Sequence, residues 1–369
     1  MAKLGDIASV VTKGTTPTSL GFAFENEGIN FIKIESIEED GSFIKEKFGH
    51  ISEECDRALS RSRLQENDIL FSIAGAIGRT AIVTSEILPA NTNQALAIIR
   101  IPKGKIDYKF LDYALHSGAI VDQFEKKKQG VAQLNISLAD VRSFQIPDIS
   151  IQEQSRIVAI LGKVDRLISL RKKQLQKLDD LVKSRFVEMF GDPITNSNNL
   201  PMKKLGEICE LKAGDFTAAD DIHDLPSEEN PYPCYGGNGI RGYVDNYTQK
   251  GEYPIIGRQG ALCGNVQYAT GKFRNTEHAV LVTPTTPMNG IWLFQLLKLE
   301  DLYRFHTGAA QPGLAVKTLN MVSVPVADTQ AQNRFSKFYS QVEESKLTVQ
   351  QGLDKLELLK QSLMQKYFG

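Results

Sequence analysis

The sequence predicts an α+β chain in which two mixed α/β domains alternate with a pair of long antiparallel coiled-coil helices, a pseudo-twofold plan. Three observations predict it. A helical pattern without proline runs uninterrupted from Ile151 to Gly191. A second copy, from Thr329 to Gly369, aligns with the first without a gap. The stretch before each copy repeats the same order of motifs, which indicates an internal duplication.

Apolar residues in both copies recur about every 3.5 positions, the spacing of a coiled-coil seam. The predicted seam of the first copy is Ile157, Leu161, Val164, Ile168, Leu175, Leu178 and Val182. The predicted seam of the second copy is Phe335, Val342, Val349, Leu356 and Leu363. At 1.5 Å per residue, each helix would be about 55–60 Å long. Such a helix cannot bury its apolar stripe alone, so the other copy is the expected partner; two unrelated surface helices are the alternative.

The ends of both copies carry helix signals. Ser150-x-x-Glu153 and Thr329-x-x-Gln332 predict capping boxes, and Gly191 predicts a stop. An antiparallel return of the second helix is favoured, because a parallel one would need a loop as long as the helix. The predicted boundaries are 1–147 for the first domain, 148–192 for the central helix, 193–325 for the second domain and 326–369 for the C-terminal helix.

In the first domain, Leu4-Gly-Asp-Ile-Ala8 predicts a short helix or turn. Alternating apolar residues predict a strand at 31–35, two strands within 69–83 that join at Gly75–Gly78, and another strand at 96–101. A helix is predicted over 110–128, followed by a polar loop at 130–137.

The second domain repeats these signals in the same order. Leu205-Gly-Glu-Ile-Cys209 matches the short helix, and Gly260-Ala-Leu-Cys-Gly264 takes the place of Gly75–Gly78. Asn275-Thr-Glu-His-Ala279 matches Asn91-Thr-Asn-Gln-Ala95. Since the side chains between these anchors differ strongly, one scaffold is expected to present two different binding faces.

Bulk properties narrow the class of protein. The 369 residues, a net charge of −1 and 41% hydrophobic residues fit a soluble globular protein of two or three domains. No apolar run approaches the ~18 residues of a membrane span, and the N-terminus lacks the shape of a signal peptide. A cytoplasmic protein is therefore expected. The four cysteines form no C-x-x-C pair, which predicts reduced thiols, mostly in the core.

The sequence contains only partial matches to known catalytic motifs. Asn230-Pro-Tyr-Pro233 resembles an adenine-methyltransferase loop but lacks the adjacent prolines, and no phosphate-loop motif is present. The five histidines show no metal-site spacing. The glycines at 75, 78, 260 and 264 are interpreted as requirements of tight turns. A nuclease that uses Glu125 and Lys127 remains an open alternative.

Polar side chains beside the predicted turns are the types that read bases and phosphates. In the first domain the candidates are Lys13, Thr15, Thr16, Lys33, Arg79, Asn91, Asn93, Lys127 and Gln133. In the second domain they are Lys212, Arg241, Arg258, Gln259, Arg274, His278 and Gln311. For each one, an ordinary solvated surface residue is the competing interpretation.

Together these features resemble the specificity (S) subunit of type I restriction–modification systems. The motifs that carry the resemblance are Gln152-Glu-Gln-Ser-Arg-Ile157, Glu188-Met-Phe-Gly-Asp-Pro193, Lys13-Gly-Thr-Thr-Pro17 and Pro231-Tyr-Pro-Cys-Tyr-Gly-Gly-Asn-Gly-Ile240. The resemblance covers essentially the whole chain. Gln133-Leu-Asn-Ile136 and Thr329-Gln-Ala-Gln332 depart from the family pattern, which affects local contacts only.

The resemblance implies a subunit without a catalytic centre, cofactor or metal of its own. Each target-recognition domain would read one half of a split site in double-stranded DNA. The helix pair would fix the spacing and dock two methyltransferase (M) subunits that use S-adenosylmethionine, and restriction (R) subunits would bring ATP and Mg²⁺. A DNA-binding regulator that homodimerises through its helices is the alternative.

Overall fold

The computed structural model describes residues 1–126, 135–260, 262–308 and 312–369. Contacts divide the chain into two compact units, which we describe separately: unit 1 comprises residues 1–170 and 353–369, and unit 2 comprises residues 171–352. Each long helix contributes to both units. The four segment boundaries given from the sequence stay a prediction.

Short strands and helices precede the first long helix. The strands are β1 Ala2–Lys3, β2 Val10–Lys13, β3 Ile29–Ile32, β4 Gly49–Ile51, β5 Ile69–Ser72, β6 Thr80–Ile82, β7 Ala90–Thr92, β8 Leu96–Arg100 and β9 Gln145–Ile146. The helices are α1 Leu4–Ile7, α2 Glu53–Ala58, α3 Tyr108–Leu115, α4 Gly118–Glu125, α5 Leu138–Arg142 and α6 Ile151–Phe190. A strand had been predicted at 31–35, but its end is a 3-10 turn, Ile34–Ser36, in which the Ser36 hydroxyl accepts a hydrogen bond from the Lys33 N–H at 3.3 Å.

Longer strands follow α6. They are β10 Met202–Lys204, β11 Cys209–Ala213, β12 Tyr232–Gly236, β13 Gly239–Val244, β14 Gln249–Gly257, β15 Val266–Asn275, β16 Ala279–Pro284 and β17 Ser323–Pro325. The helices are α7 Leu205–Ile208, α8 Gly290–Leu299, α9 Val316–Met321 and α10 Thr329–Phe368.

The two units share one sheet topology. Unit 1 has a four-stranded antiparallel sheet in the order β2-β8-β5-β6 and a three-stranded sheet in the order β4-β3-β7, in which β3 and β7 are parallel. Unit 2 has one six-stranded sheet in the order β11-β16-β14-β15-β12-β13, in which β12 and β15 are parallel. The long strand β15 pairs with β14 as β6 pairs with β5, and with β12 as β7 pairs with β3. Unit 2 therefore has one continuous sheet where unit 1 has two. The α+β class and the repeated plan are confirmed.

The predicted helix over 110–128 is wrong in one respect. It is two helices, because Ser117 starts a new one: its hydroxyl accepts a hydrogen bond from the Ile120 N–H at 3.4 Å. The four turn glycines behave as predicted, since Gly75, Gly78, Gly260 and Gly264 all have φ between +73° and +91°. All four cysteines are free and buried.

The long helices are both 40 residues, and in each unit they pack antiparallel. In unit 1 the beginning of α6, with Ile157 and Leu161, shares a core with Phe368 at the end of α10. In unit 2 the end of α6, with Val182, shares a core with Phe335 and Val342 near the start of α10. The twelve predicted seam residues are all buried or half-buried. The seam is therefore filled within the chain.

The helix starts were only partly predicted. The Ser150 hydroxyl accepts from the Glu153 N–H at 3.2 Å, as in the expected box. At α10 the cap is Asp328 rather than Thr329, because its carboxylate accepts from the Ala331 N–H at 2.9 Å. None of the helices within the described ranges combines the length and apolar content that a membrane crossing requires.

Candidate nucleic-acid interface

In unit 1 the end of β2 lies against the turn that follows β7. A Cβ placed on Gly14 would be 1.8 Å from the Thr92 carbonyl oxygen, so no other residue fits there. The Gly14 N–H donates to the Asn93 carbonyl at 3.1 Å, and the Thr16 hydroxyl donates to the Gln94 side chain. This contact gathers Lys13, Thr15, Thr16 and Asn93, which had been singled out from separate motifs. Lys13 is exposed, and the other three are half-buried.

Unit 2 builds a similar contact from different residues. A Cβ on Gly214 would be 1.8 Å from the Asn275 carbonyl oxygen. The Gly214 N–H donates to the Ala279 carbonyl at 3.3 Å. Lys212, two residues before this glycine, is exposed. In both units a glycine therefore lies against the Asn-Thr turn, although the residues that it meets are not at equivalent positions of the turn.

In unit 2, the turn that follows β14 lies against the turn of residues 275–279. The Arg258 N–H donates to the His278 carbonyl at 3.0 Å, and the Leu314 N–H donates to the Arg258 carbonyl at 2.8 Å. Gln259 forms a bridge with Gly313 and is exposed. Three chain segments therefore meet at Arg258, which places the candidates Arg258, Gln259 and His278 together.

Two residues that the sequence did not single out lie in this region. Glu277 Oε1 lies 3.1 Å from His278 Nε2. Tyr303, which is 42% exposed, stacks on His306 with ring centroids 4.3 Å apart. Glu277 could have been found, because it takes the place of Asn93 in the repeated turn. Tyr303 has no such signal.

Several candidate side chains form hydrogen bonds with other parts of the same unit. Asn91 is fully buried, and its side chain bonds Ser62 at 2.6 Å and Asp56 at 3.1 Å, so it presents no surface to a ligand. The Arg79 guanidinium donates to the Ile37 carbonyl at 2.8 Å. Arg274 donates from Nε to the Thr217 hydroxyl at 3.1 Å.

The remaining candidates are scattered. The Lys33 ammonium lies 4.5 Å from the ring centroid of Phe24, and Arg241 is exposed on β13. Lys127, Gln133 and Gln311 lie outside the described residues, and so does part of the alternative pair of Glu125 and Lys127.

Charges of both signs lie close to the Cys234 thiol. Burial raises the pKa of Cys234, the Arg274 and Arg241 guanidinium groups oppose this, and Glu277 adds to it. The thiol therefore stays protonated at neutral pH and is a poor nucleophile. Within the described ranges, no three His, Cys, Asp or Glu side chains are grouped closely enough to hold a metal ion.

Comparison with known proteins adds an independent line of evidence. The family model described as the type I restriction modification DNA specificity domain matches residues 1–180 and 198–358. The specificity subunit of the Escherichia coli type I restriction enzyme EcoprrI is 34% identical over 340 residues, which are 86% of this chain and 81% of that protein. The E. coli EcoBI specificity subunit is 32% identical over 208 residues, 55% of this chain and 42% of that protein.

Solved structures share the fold at low sequence identity. The S subunit of a type I restriction–modification system from M. genitalium superposes with a TM-score of 0.59 at 17% identity, covering 100% of this chain and 95% of that one. A chain from a study of complex assembly in a type I restriction–modification system gives 0.61 at 18%, covering 100% and 96%. The fold, the repeated turn contact and these matches lead to one conclusion: the chain belongs to the family of type I restriction–modification DNA-specificity subunits.

Proposed function

We propose that this chain is the DNA-reading subunit of a type I restriction–modification complex, in which each unit reads one half of a bipartite target. The observation that carries the proposal is the turn contact that both units build, at Gly14 with Thr92 and at Gly214 with Asn275. The two contacts are similar in kind but do not join equivalent residues, since Gly14 bonds Asn93 and Gly214 bonds Ala279, and the side chains around them also differ. A shared scaffold with different side chains is what two different half-sites require.

The chemistry of these side chains supports DNA as the ligand. Lys13 and Lys212 occupy exposed positions at or near the ends of β2 and β11, and lysines contact phosphates without regard to sequence. Arg258, Gln259 and Asn93 are types that bond base edges in the major groove. The net charge of −1 confines attraction for DNA to such local regions.

The outer surfaces of the long helices support docking of other proteins. Leucines that do not belong to the seam remain open to solvent, with Leu170 52%, Leu347 61% and Leu358 64% exposed. Burial of such side chains against another protein would remove apolar surface from water, which favours association. In this proposal they receive methyltransferase subunits, and the length of the helix pair sets the gap between the two half-sites.

The chemistry of modification and cleavage then belongs to the partners. Methyltransferase subunits would hold S-adenosylmethionine, and restriction subunits would hold ATP and Mg²⁺. The chain itself would supply recognition and positioning without a reaction of its own.

The test is co-expression of the chain with type I methyltransferase subunits, followed by mapping of methylated adenines in the host genome. We expect a stable complex and one bipartite motif that disappears when the chain is omitted. Leu358→Asp should weaken co-purification, while Gln361→Asp, an exposed position on the same helix, should not. Methylation or cleavage by the purified chain alone would contradict the proposal.

A further inference from the structure

Unsatisfied polar atoms are concentrated at one place in unit 2. Seven buried side-chain nitrogen or oxygen atoms have no hydrogen-bond partner within the described parts of the chain, and five of them belong to Arg258 and to residues 275–278. These are Arg258 Nε, Asn275 Oδ1, Thr276 Oγ1, Glu277 Oε2 and His278 Nδ1. Buried polar groups normally have partners, so such a concentration requires an explanation.

The fold of the turn does not require these unpaired atoms. In the equivalent turn of unit 1, the Thr92 hydroxyl donates to the Ile32 carbonyl at 2.8 Å, and the Asn93 side chain accepts from the Ala95 N–H at 3.1 Å. Asn91 is likewise bonded, to Ser62 at 2.6 Å. The turn of unit 1 therefore satisfies these polar side chains within the chain. The turn of unit 2 leaves the five buried atoms without partners, and such unsatisfied groups are expected at functional sites.

The side chains of the turn reach the surface. The side chain of Glu277 is 30% exposed and that of His278 is 42% exposed. Arg258 is half-buried and joined to His278 through its backbone N–H. A ligand that touches this surface therefore meets a carboxylate and an imidazole, and the half-buried Arg258 is bonded to the same turn through its backbone.

The carboxylate indicates which part of DNA would face this cluster. A phosphate would be repelled by Glu277, whereas the edge of a base pair offers donors as well as acceptors. A carboxylate accepts from cytosine N4, and arginine donates to guanine O6 and N7. The two residues together therefore match the major-groove edge of one C·G pair.

We propose that Arg258, Glu277 and His278 form the base-reading cluster of unit 2, with Glu277 selecting cytosine and Arg258 its paired guanine. This inference rests on the proposed function. It adds Glu277 as a specificity-determining residue and commits one position of one half-site to a C·G pair.

The experiment uses the complex of the full chain with methyltransferase subunits and a library of DNA duplexes randomised across both half-sites. Sequencing of the bound duplexes gives the base preference at every position. Glu277→Gln and Arg258→Lys should each reduce the preference for C·G at one position about tenfold or more. The other half-site should keep its sequence and thereby report that the complex is assembled. Glu210→Gln, at an exposed carboxylate on β11, is the matched control and should leave both halves unchanged.

The outcomes separate the two proposals. If the wild-type complex selects no bipartite sequence, the proposed function fails. If it selects one that both variants retain, or that contains no C·G pair at the affected position, the cluster does not read bases. Equal loss of both half-sites in a folded variant would also overturn the inference. If Glu277→Gln lowers the melting temperature, Glu277→Asp is measured in the same selection. This variant keeps the charge but has a shorter side chain, and it should reduce the base preference at the same position.

Discussion

Gln154 and Gln332 make the same pair of hydrogen bonds at equivalent places in the two units. The Gln154 side chain accepts from the Asp107 N–H at 2.8 Å and donates to the Ile149 carbonyl at 2.9 Å. The Gln332 side chain accepts from the Asn289 N–H at 2.8 Å and donates to the Ala327 carbonyl at 2.8 Å. Asp107 and Asn289 are the caps of α3 and α8. Each buried glutamine therefore ties the start of a long helix to the start of a domain helix.

Replacing these glutamines should destabilise the protein. Gln154→Ala and Gln332→Ala would each leave an N–H and a carbonyl without partners, and a buried group of this kind costs about 1–3 kcal/mol. Only the Ala327 carbonyl is buried, so Gln332→Ala should have the larger effect. Chemical denaturation followed by circular dichroism gives the change in the free energy of unfolding. The exposed neighbours provide matched controls, since Gln152→Ala and Gln330→Ala should change it by less than about 0.5 kcal/mol. Equal changes in the free energy of unfolding at all four positions would contradict a stabilising role of the two buried glutamines.

Phe335 is the aromatic centre of the helix contact in unit 2. It is fully buried, and its ring meets Phe186 edge-to-face at 5.2 Å and Phe190 at 5.9 Å. Phe335→Ala should cost about 3–5 kcal/mol through lost packing and a residual cavity. Trp292, the single tryptophan, stacks at 6.5 Å from Phe186, so its fluorescence reports unfolding of this core. Leu347→Ala, at a 61% exposed position of the same helix, should have almost no effect; a loss as large as that of Phe335→Ala would refute this account.

Glu300 should make stability depend on pH. Burial raises its pKa from 4.5 to about 7; Arg304 opposes this shift, and Asp192 and Asp301 add to it. Because the folded protein then binds a proton more tightly than the unfolded chain, this group lowers stability as pH rises from about 4.5 to about 7. The penalty is absent below that window and complete above it.

The Glu300→Gln variant removes this titration. Its melting temperature relative to the wild type should increase between pH 5 and pH 8, because the wild type alone carries the penalty at the higher pH. Groups common to both proteins cancel in this difference. Glu228→Gln, at an exposed carboxylate that does not act on Glu300, is the control. A difference that is the same at pH 5 and pH 8 would show that Glu300 keeps its ordinary pKa.

The proposed spacing role of the long helices predicts a change in the DNA target. Lys360 pairs with Asp165 at 2.7 Å in unit 1, and Lys346 pairs with Asp179 at 2.8 Å in unit 2. Removal of residues 172–178 together with 347–353 takes one heptad from each helix, between these paired positions. Seven residues correspond to about 10 Å, or about three base pairs of DNA. Methylome sequencing should show a spacer shortened by that amount with both half-sites retained.

An unchanged spacer in that variant would refute the spacing role. The control removes a heptad from α6 alone, which puts the two helices out of register. This variant should fail to form the complex rather than alter its target.

The sequence by itself determined the duplication, both long helices and their seam. These features follow from periodicity, which is local: residues 3.5 positions apart share a helix face whatever surrounds them. Leu161 and Phe335 were predicted as core on this ground and are fully buried. The turn glycines were predictable too, since a positive φ restricts the choice of residue. The family resemblance was carried by motifs of the same local kind.

Only the tertiary structure decided which polar side chains face outward. Asn91 and Asn93 belong to one turn, yet the first is fully buried and the second reaches the surface. That difference depends on how Gly14 approaches Thr92, a contact between strands that lie far apart in sequence. In unit 2, Gly214 approaches Asn275, and the His278 carbonyl two residues beyond Thr276 accepts from the Arg258 N–H. Hydrogen-bond partners are set by such long-range contacts, so no local pattern could separate a structural asparagine from a base-reading glutamate.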